Sequence, residues 1–448
     1  MTVARAAGTL RAPRVRSRAG ARIVGVALCL QIVLVFAAAA NGQTTQAPRS
    51  LRGLFGRQDE NSKRRHWTDF TMSFSEGLDN NINAQLGADT LPFRQSGFYS
   101  NLETALRHTR VRRERRLTFS AGSAMRYDPA PYRLLSTNYV GAVAFTSPMW
   151  RGARLDVMQG VTYTPFYQLK LFPTLPFESG QMPTVASNDY AIGKQSAYTY
   201  TTGVQFVEKF SARSSLQLGY DLRSVTFAGA ASDFLMQGAA VRFTHHVSRY
   251  SGFHAGFGSR IGQYSVSTGP NQVRTNDIDI GLDYTPPLSF SRRTTLTLSS
   301  GSSLIPEGGR THYRVTGNAS LAHQIGRSWL ASLTYDRTVQ FIDVFPAPSL
   351  GDSVAARFKG NPSRRVDVAF SGGYSAGQIG LAAGSTAYGT YTGSAQLGAT
   401  VNQHFALYSE YVYYHYRVDQ QPGGPAFPGR LDRQTARVGL KLWFPLFD

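Results

Sequence analysis

The sequence has 448 residues, and its 47 Lys and Arg against 27 Asp and Glu give a formal net charge of +20 at pH 7. After residue 40 no run reaches the roughly 18 consecutive apolar residues that a spanning helix needs, so a helical membrane protein is excluded. The mean hydropathy of −0.24 is compatible with a membrane barrel, because alternating strands average out.

The first forty residues differ from the rest of the chain. Six arginines between Arg5 and Arg22 precede an apolar run from Ile23 to Ala40, with no acidic residue among them. A basic start, an apolar centre and small residues at its end predict a secretory signal peptide over 1–40, and a single N-terminal transmembrane helix is the alternative. Cys29 lies in this segment, so the mature chain would have no thiol and no disulfide.

Residues 41–66 form a polar, arginine-containing stretch that we interpret as a periplasmic tail or a partial plug, with a disordered linker as the alternative. Without the leader the chain would keep 41 basic residues against 27 acidic ones. These arginines are scattered over strands and turns instead of gathering on one helical face. The distribution therefore does not favour a nucleic-acid partner.

From residue 67 onward, short segments alternate apolar and polar residues. In the segment Asp277–Tyr284 carboxylates occupy one set of alternate positions and mainly apolar residues the other, so the strand has one wet and one apolar side. The same period predicts eighteen strands, at 67–77, 97–108, 115–127, 137–147, 153–164, 196–208, 213–225, 236–247, 251–265, 275–285, 292–303, 311–323, 328–339, 351–359, 364–375, 386–401, 404–417 and 433–447.

The connections between these segments are alternately tight and long. Such alternation is typical of an up-and-down barrel in which tight turns and both chain ends lie at one end. Lipid tolerates no open sheet edge, so the strands must close. We therefore predict an all-β fold, a transmembrane antiparallel β-barrel over 67–448 with about 18 strands, and 16 strands as the alternative.

The last strand carries Val438, Leu440 and Leu442 on one face, and Arg437 and Lys441 on the other, and the chain stops just after Phe447. In this it resembles the Gram-negative outer-membrane barrels, whose final strand ends in an aromatic residue that the assembly machinery reads; here Asp448 follows the aromatic residue. The resemblance implies location in the outer membrane after removal of the signal peptide. It also implies outer-membrane lipids and the barrel assembly machinery as partners, with Phe447 as the assembly signal.

If the apolar faces contact lipid, the opposite faces line a lumen. Both signs of charge then lie on the inner wall, where they either surround water or pair with one another in a narrow lumen. The predicted lumen-lining residues are Arg107, Arg116, Arg126, Asp221, Arg223, Arg242, Arg260, Asp277, Asp279, Asp283, Arg314, Asp336, Arg357, Lys359, Arg365, Asp367, Glu410, Arg437 and Lys441. Three tyrosines with the same phase could instead stack against sugars: Tyr408, Tyr414 and Tyr416.

Aromatic residues gather near the predicted strand ends, where rings sit in the headgroup zone of a bilayer. The predicted membrane girdle includes Tyr139, Tyr284, Trp329, Tyr411, Trp443 and Phe444.

Little in the sequence points to catalysis or to a bound group. The chain has no G-x-S-x-G, H-E-x-x-H or phosphate-loop motif, and its histidines are scattered. Asp277, Asp279 and Asp283 share a strand face, but an Asp-x-Asp on a strand is a weak calcium signal. We therefore predict no enzyme activity, no cofactor and no metal.

These features favour a porin-type channel for passive diffusion of small hydrophilic solutes. The inward arginines predict mild anion selectivity, because a cleft lined by one sign of charge concentrates the opposite ion. Two alternatives stay open. One is export of an acidic exopolysaccharide, since the sequence resembles such exporters in its strand number and arginine-rich lumen. The other is a structural or adhesive barrel without an open pore.

Overall fold

The computed structural model describes most of the chain from residue 65 to residue 447. The described ranges are 65–85, 95–129, 133–168, 187–191, 193, 195–228, 233–248, 251–266, 269–284, 293–307, 310–326, 328–381, 385–419 and 429–447. Within them, the side chains of residues 84, 85, 188, 266, 269, 270, 282–284, 307 and 447 are outside the description. The predicted signal peptide and nearly all of the predicted tail also lie outside the described residues.

The described chain is almost entirely β-strand, which confirms the predicted fold class and all eighteen predicted strands. Two short 3₁₀ helices lie in connections, at Ile82–Gln85 and Asn188–Tyr190. The strands are β1 His66–Asp79, β2 Gly97–Arg112, β3 Arg115–Asp128, β4 Leu134–Trp150, β5 Ala153–Thr164, β6 Ala197–Lys209, β7 Ser214–Phe227, β8 Phe234–His246, β9 Ser251–Val266, β10 Gly269–Tyr284, β11 Thr294–Glu307, β12 Arg310–Ile325, β13 Trp329–Phe341, β14 Pro348–Ser363, β15 Val366–Ile379, β16 Thr386–Asn402, β17 Phe405–Val418 and β18 Arg430–Phe447.

Among the described residues, no helix has the length and apolar character needed to cross a bilayer.

Each strand pairs antiparallel with its neighbours in the sequence, and β1 also pairs with β18 to close the barrel. The closing pairing runs from Thr68 opposite Phe447 to Asp79 opposite Thr435. Closure leaves no free sheet edge, which is the condition for placing strands in lipid. The first strand begins and the last strand ends at the end of the barrel that carries the tight turns, as predicted. We call this the periplasmic end and the opposite one the extracellular end.

The connections follow the predicted alternation with three exceptions. At the extracellular end, β9 continues to Val266 opposite Gly269, and β11 continues to Glu307 opposite Arg310, so both hairpins are tight. At the periplasmic end, β10 stops at Tyr284 and β11 starts only at Thr294. The prediction of long loops at 267–271 and 305–310 is wrong because cross-strand pairing continues to Gly269 opposite Val266 and to Glu307 opposite Arg310.

Aromatic rings lie across glycines of the neighbouring strand at several points of the barrel. Opposed pairs of this kind are Gly77 with Tyr99, His254 with Gly281, Trp329 with Gly360, Gly377 with Tyr388, and Tyr408 with Gly439. An added Cβ at Gly77 would lie 2.7 Å from the Tyr99 hydroxyl oxygen, so only glycine leaves room for the ring. These pairs fix strand register because a shift by one residue would place the ring against a side chain.

The two faces of the wall differ as the alternation predicts. On the outside, Phe74, Ile280 and Leu440 are 45%, 63% and 41% exposed, as residues turned toward lipid must be in an isolated chain. On the inside, polar and charged residues such as Asp79, Arg126 and Glu410 are buried. A cluster of buried apolar residues therefore lies within the barrel, where loops meet the inner wall, and not between two sheets.

Candidate functional site in the barrel lumen

The strand register shows which side chains share the inner wall. Asp221 lies opposite Gly203 and Gly238, and Gly238 in turn lies opposite Arg260, so these positions share one face. Followed around the barrel, this face carries Arg107, Arg116, Arg126, Asp221, Arg223, Arg242, Arg260, Asp277, Asp279, Arg314, Asp336, Arg357, Lys359, Asp367, Glu410, Arg437 and Lys441. Arg365 instead lies in the turn between β14 and β15, and the side chain of Asp283 is outside the described residues.

A buried group of charges lies on the inner wall toward the extracellular end of β1, β3, β17 and β18. Asp79 accepts from Arg433 at 2.5 Å and from Arg126 at 2.7 Å. Arg126 also donates to Asp128 at 2.8 Å, and its guanidinium lies 3.8 Å from the centre of the Tyr99 ring. Each buried charge thus has several partners, which is the condition for keeping ions out of water.

The same charges hold the loop between β5 and β6 inside the barrel. The Asp189 carboxylate lies 3.5 Å from an Arg437 nitrogen and 3.8 Å from an Arg126 nitrogen. Arg433 donates to the backbone oxygen of Ala191 at 3.1 Å. Arg437 also donates to Glu410 at 2.6 Å. We call these residues, Asp79, Arg126, Asp128, Asp189, Glu410, Arg433 and Arg437, the anchor cluster.

The charges around Asp189 determine its protonation. Burial alone would raise the pKa of the Asp189 carboxyl, but Arg437 and Arg126 outweigh burial and hold this pKa below its ordinary value. The Ser187 hydroxyl also donates to this carboxylate, at 2.6 Å. Asp189 is therefore ionised at neutral pH, and its attraction to the wall is fully present there.

The connection between β13 and β14 also turns into the barrel. Asp343 in this loop accepts a hydrogen bond from Arg223 of β7, on another part of the wall. The Tyr264 hydroxyl donates to the Ile342 backbone oxygen at 3.3 Å. The two loops thus reach the inner wall at different places, one at β17, β18 and β3, the other at β7 and β9.

An apolar and aromatic cluster joins the two loops to the extracellular half of the wall. Tyr190 meets Tyr414 edge to face with ring centres 5.1 Å apart, and Tyr167 meets Phe227 at 5.8 Å. Tyr414 and Tyr416, which were candidates for sugar stacking, are 1% and 0% exposed. Their rings pack against each other and Tyr190, so in this conformation they do not present a free stacking face.

The middle of the wall carries alternating charges between β8 and β11. Arg260 donates to Asp277 at 2.6 Å and to the Val339 backbone oxygen at 2.9 Å. Asp279 lies 3.2 Å from His254 Nε2 and 3.8 Å from an Arg242 nitrogen. Two of the three carboxylates that had suggested calcium are therefore bound by basic side chains. Among the described residues, no group of three metal-ligating side chains converges on one point.

Toward the periplasmic end the inner wall is exposed and basic. Arg107, Arg116, Arg357 and Lys359 have the inner phase and are exposed to solvent. Arg116 and Arg357 form no ion pair with another described residue. The lumen therefore has two parts: an extracellular half where charges are paired and buried, and a periplasmic half where positive charges meet water.

The outer face carries aromatic residues at both ends. Tyr163 lies between Tyr139 and Tyr198, with ring centres 6.1 and 4.9 Å away, and Trp329 stacks on Phe358 at 4.9 Å. Of the other predicted girdle residues, Tyr411 and Phe444 have the outer phase, 42% and 39% exposed. Trp443 has the inner phase and stacks on His404. The side chains of Tyr284 and Phe447 are outside the described residues.

His245 and His415 lie on separate strands and have different polar partners. The Ser214 hydroxyl lies 2.9 Å from His245 Nδ1, and the Asp432 carboxylate lies 2.5 Å from His415 Nδ1. His245 thus contacts a serine hydroxyl and His415 a carboxylate, whereas a triad needs both groups on one imidazole. The geometry therefore gives no positive indication of a hydrolytic triad.

Sequence reasoning missed several residues of the anchor cluster. Arg433 shares the phase of Arg437, so the period of β18 could have found it. Asp79 and Asp128 lie just beyond the predicted strand ends at residues 77 and 127, and cross-strand pairing extends to both. Asp189 carries no signal in the sequence, because it lies in a long connection without periodicity.

No family model and no curated protein sequence matches the chain. Solved barrels do resemble it in structure. OccAB3 of Acinetobacter baumannii is 10% identical, with a TM-score of 0.43 over 85% of this chain and 99% of that one. OccAB4 of the same organism is 12% identical, with a TM-score of 0.42 over 87% and 100%. The siderophore receptor PirA of Pseudomonas aeruginosa is 8% identical, with a TM-score of 0.41 over 84% and 80%.

The chain's own architecture decides its class. Eighteen antiparallel strands close on themselves, apolar side chains point outward, and charged side chains point inward. In water such an outer face would be unstable, whereas in a bilayer both faces are satisfied. The chain is therefore an eighteen-stranded antiparallel β-barrel that spans a membrane.

Proposed function

We propose that the barrel is a porin-type channel that passes small hydrophilic solutes by passive diffusion and mildly prefers anions. The observation that carries this proposal is the two-part lumen, with exposed basic residues on the periplasmic side and two inward loops on the extracellular side. A structural barrel needs no unpaired charge inside. Charges facing water in a lumen act on whatever passes through it.

The inward loops support a narrow passage. The loop at 187–191 is held by the anchor cluster, and the loop at 342–347 by Arg223 and Tyr264. An 18-stranded barrel without inward loops would be wide. Two loop segments fixed to the inner wall narrow the opening relative to that of an empty barrel. This arrangement does not favour export of a polysaccharide, which needs a wide and continuous path.

Exposed arginines support the preference for anions. Arg116 and Arg357 lie inward, meet solvent and have no acidic partner among the described residues. Asp277 is bound by Arg260, and Asp279 lies beside Arg242 and His254, so these two aspartates oppose this potential only weakly. The lumen therefore has a positive electrostatic potential that favours anions without excluding cations.

The test is the single-channel current of the purified chain in a planar bilayer with symmetrical KCl. We expect discrete steps of small conductance. A barrel in which Asp189 and Asp343 are both replaced by Asn should give larger or more frequent openings, because both loops lose their ionic contacts. Absence of conductance from the native barrel and from this double variant would contradict the proposal.

A further inference from the structure

A continuous arc of basic residues runs along the periplasmic rim from β1 to β7. All of its members are exposed, and none forms an ion pair with another described residue: Arg65, Arg110, Arg112, Arg113, Arg115, Arg151, Lys209 and Arg213. Among the described residues, the acidic residues nearest to them in sequence are Asp69, Glu114, Asp156 and Glu208. Asp69 lies opposite Arg107 on the inner face. Asp156 is bound by Arg154, and Glu208 accepts from the Trp150 indole. The arc therefore carries a large uncompensated positive charge.

The charge is densest on the hairpin of β2 and β3. Arg112 and Arg115 lie directly opposite each other, and Arg110 shares their outward face two residues earlier. Like charges directly opposed across a strand pair are destabilising. The connecting Arg113 also has a φ of 56°, a left-handed conformation that costs a non-glycine residue energy. A protein tolerates this arrangement most easily where an anion neutralises it.

Neighbouring residues place these arginines at the membrane surface. Leu117 lies opposite Arg110, so the apolar outer face ends where the arginines begin. On the next hairpin Met149 and Trp150 are each 53% exposed. Indole rings prefer the headgroup zone of a bilayer, and the arginine side chains therefore lie at the depth of lipid phosphates.

We propose that Arg110, Arg112 and Arg115 form a binding site for the phosphate of an anionic phospholipid in the periplasmic leaflet. A guanidinium matches a phosphate with two parallel hydrogen bonds, and three of them on one face can surround it. Each arginine near an anionic membrane surface contributes about a fivefold gain in affinity. The proposal is independent of the channel function, since it concerns the outer face.

The experiment uses the full mature chain folded into phosphatidylcholine vesicles that contain a minor share of phosphatidylglycerol. Trp67, Trp329 and Trp443 are replaced by Phe, so that Trp150 beside the site is the remaining fluorophore. Quenching by dibrominated phosphatidylglycerol is compared with quenching by dibrominated phosphatidylcholine. We expect the anionic lipid to be enriched at Trp150 at least about fivefold over its bulk share, and less so at 1 M salt.

The site variant is R110Q/R112Q/R115Q, and the control is R274Q/R417Q/R430Q, which loses the same charge from the outer face at the extracellular end. We expect the site variant to reduce enrichment to the bulk share and the control to retain it. Folding of each variant is checked by its heat-modifiable migration on a gel. If the triple variant does not fold, R112Q alone is tested in its place. Equal quenching by both lipids in the native barrel, or unchanged enrichment in the site variant, would overturn the proposal. Loss of enrichment in millimolar inorganic phosphate would also overturn it, by indicating a simple anion site.

Discussion

Asp189 and Asp343 are acidic residues of the two loop segments that reach the inner wall, and each is bound by arginine from the wall. A loop pays an ordering entropy for every fixed residue, so a fixed loop needs contacts that outweigh it. Arg437 and Arg126 reach Asp189, and Arg223 reaches Asp343. Individual charges on the wall thus decide where the loops lie.

Replacing Asp189 by Asn should weaken the attachment of the loop at 187–191. Arg437 keeps Glu410 as a partner, and Arg126 keeps Asp79 and Asp128. Because no buried charge is left unpaired, we expect a loss of about 1–3 kcal/mol in the free energy of unfolding. The measurement is the urea midpoint of the folded barrel in vesicles. The matched control is D419N, because Asp419 pairs with Arg417 at the exposed surface. Equal effects of the two substitutions would contradict the anchoring role.

The same carboxylate predicts a pH dependence. Its folded pKa lies below the unfolded value of about 3.9, so its contribution to stability is complete above the unfolded pKa and lost as pH falls through the folded pKa. Hydrogen exchange of the amides at 187–191 should therefore be slow and constant relative to intrinsic rates near neutral pH, and should accelerate only below about pH 4. In D189N this acceleration of exchange at low pH should be smaller. Equal acceleration in both proteins would show that other carboxylates cause it.

At the scale of the element, strands were predictable and loops were not. A strand repeats its two faces over a dozen residues, so Ile278 and Ile280 against Asp277 and Asp279 already fix its phase. A loop has no period, and its position depends on partners that are distant in sequence. Asp189 meets Arg437 across 248 positions. Hairpin ends were misjudged for the related reason that pairing overrides the turn-like composition of residues such as Gly269 and Pro270.

The aromatic and glycine pairs give a prediction for a single strand pair. Replacing Gly77 by Ala puts a methyl group against the buried Tyr99 ring, which is held by Arg126, so about 1–3 kcal/mol of stability should be lost. Gly203→Ala is the control, because nothing lies within 4 Å of its added Cβ. It should be neutral or slightly stabilising. The folding yield in vesicles is measured for both variants. Equal losses for Gly77→Ala and Gly203→Ala would contradict the prediction by showing that the Tyr99 ring can move aside.

The two faces of β18 give a second prediction for a single strand. Leu440 is 41% exposed on the outer face, and Lys441 lies inward opposite Ala406. Leu440→Arg places a charge in lipid, at a cost of about 2–4 kcal/mol near the midplane. Lys441→Arg keeps the inner charge and should be nearly silent. The amount of heat-modifiable, folded barrel measures both variants, and greater damage from Lys441→Arg would contradict the assigned phase.

At the scale of the whole molecule, charge is sorted along the barrel axis. The carboxylates of the anchor cluster and those of Asp277 and Asp279 lie within ion-pair distance of arginines. Arg116 and Arg357 near the periplasmic end form no ion pair with another described residue. Composition alone predicted only a net positive charge. Which arginines are neutralised depends on cross-strand neighbours and inward loops: Arg437 and Arg126 lie on the inner face but are buried in ion pairs. Selectivity must then come from the exposed set.

The ion preference of the channel should depend on the exposed inner arginines Arg116 and Arg357. Under a KCl gradient the reversal potential of the native barrel should indicate mild anion preference at 0.1 M, and less at 1 M, because the screening length falls from about 10 Å to about 3 Å. R116Q/R357Q should shift the preference toward cations, since it removes unpaired charge from the lumen. R417Q/R430Q removes equal charge from the extracellular rim, where Arg417 and Arg430 are 73% and 70% exposed beside Asp419 and Asp432, and should leave the reversal potential nearly unchanged. Cation preference in the native barrel, or equal shifts in the two variants, would mean that the inner arginines do not face the permeating ions.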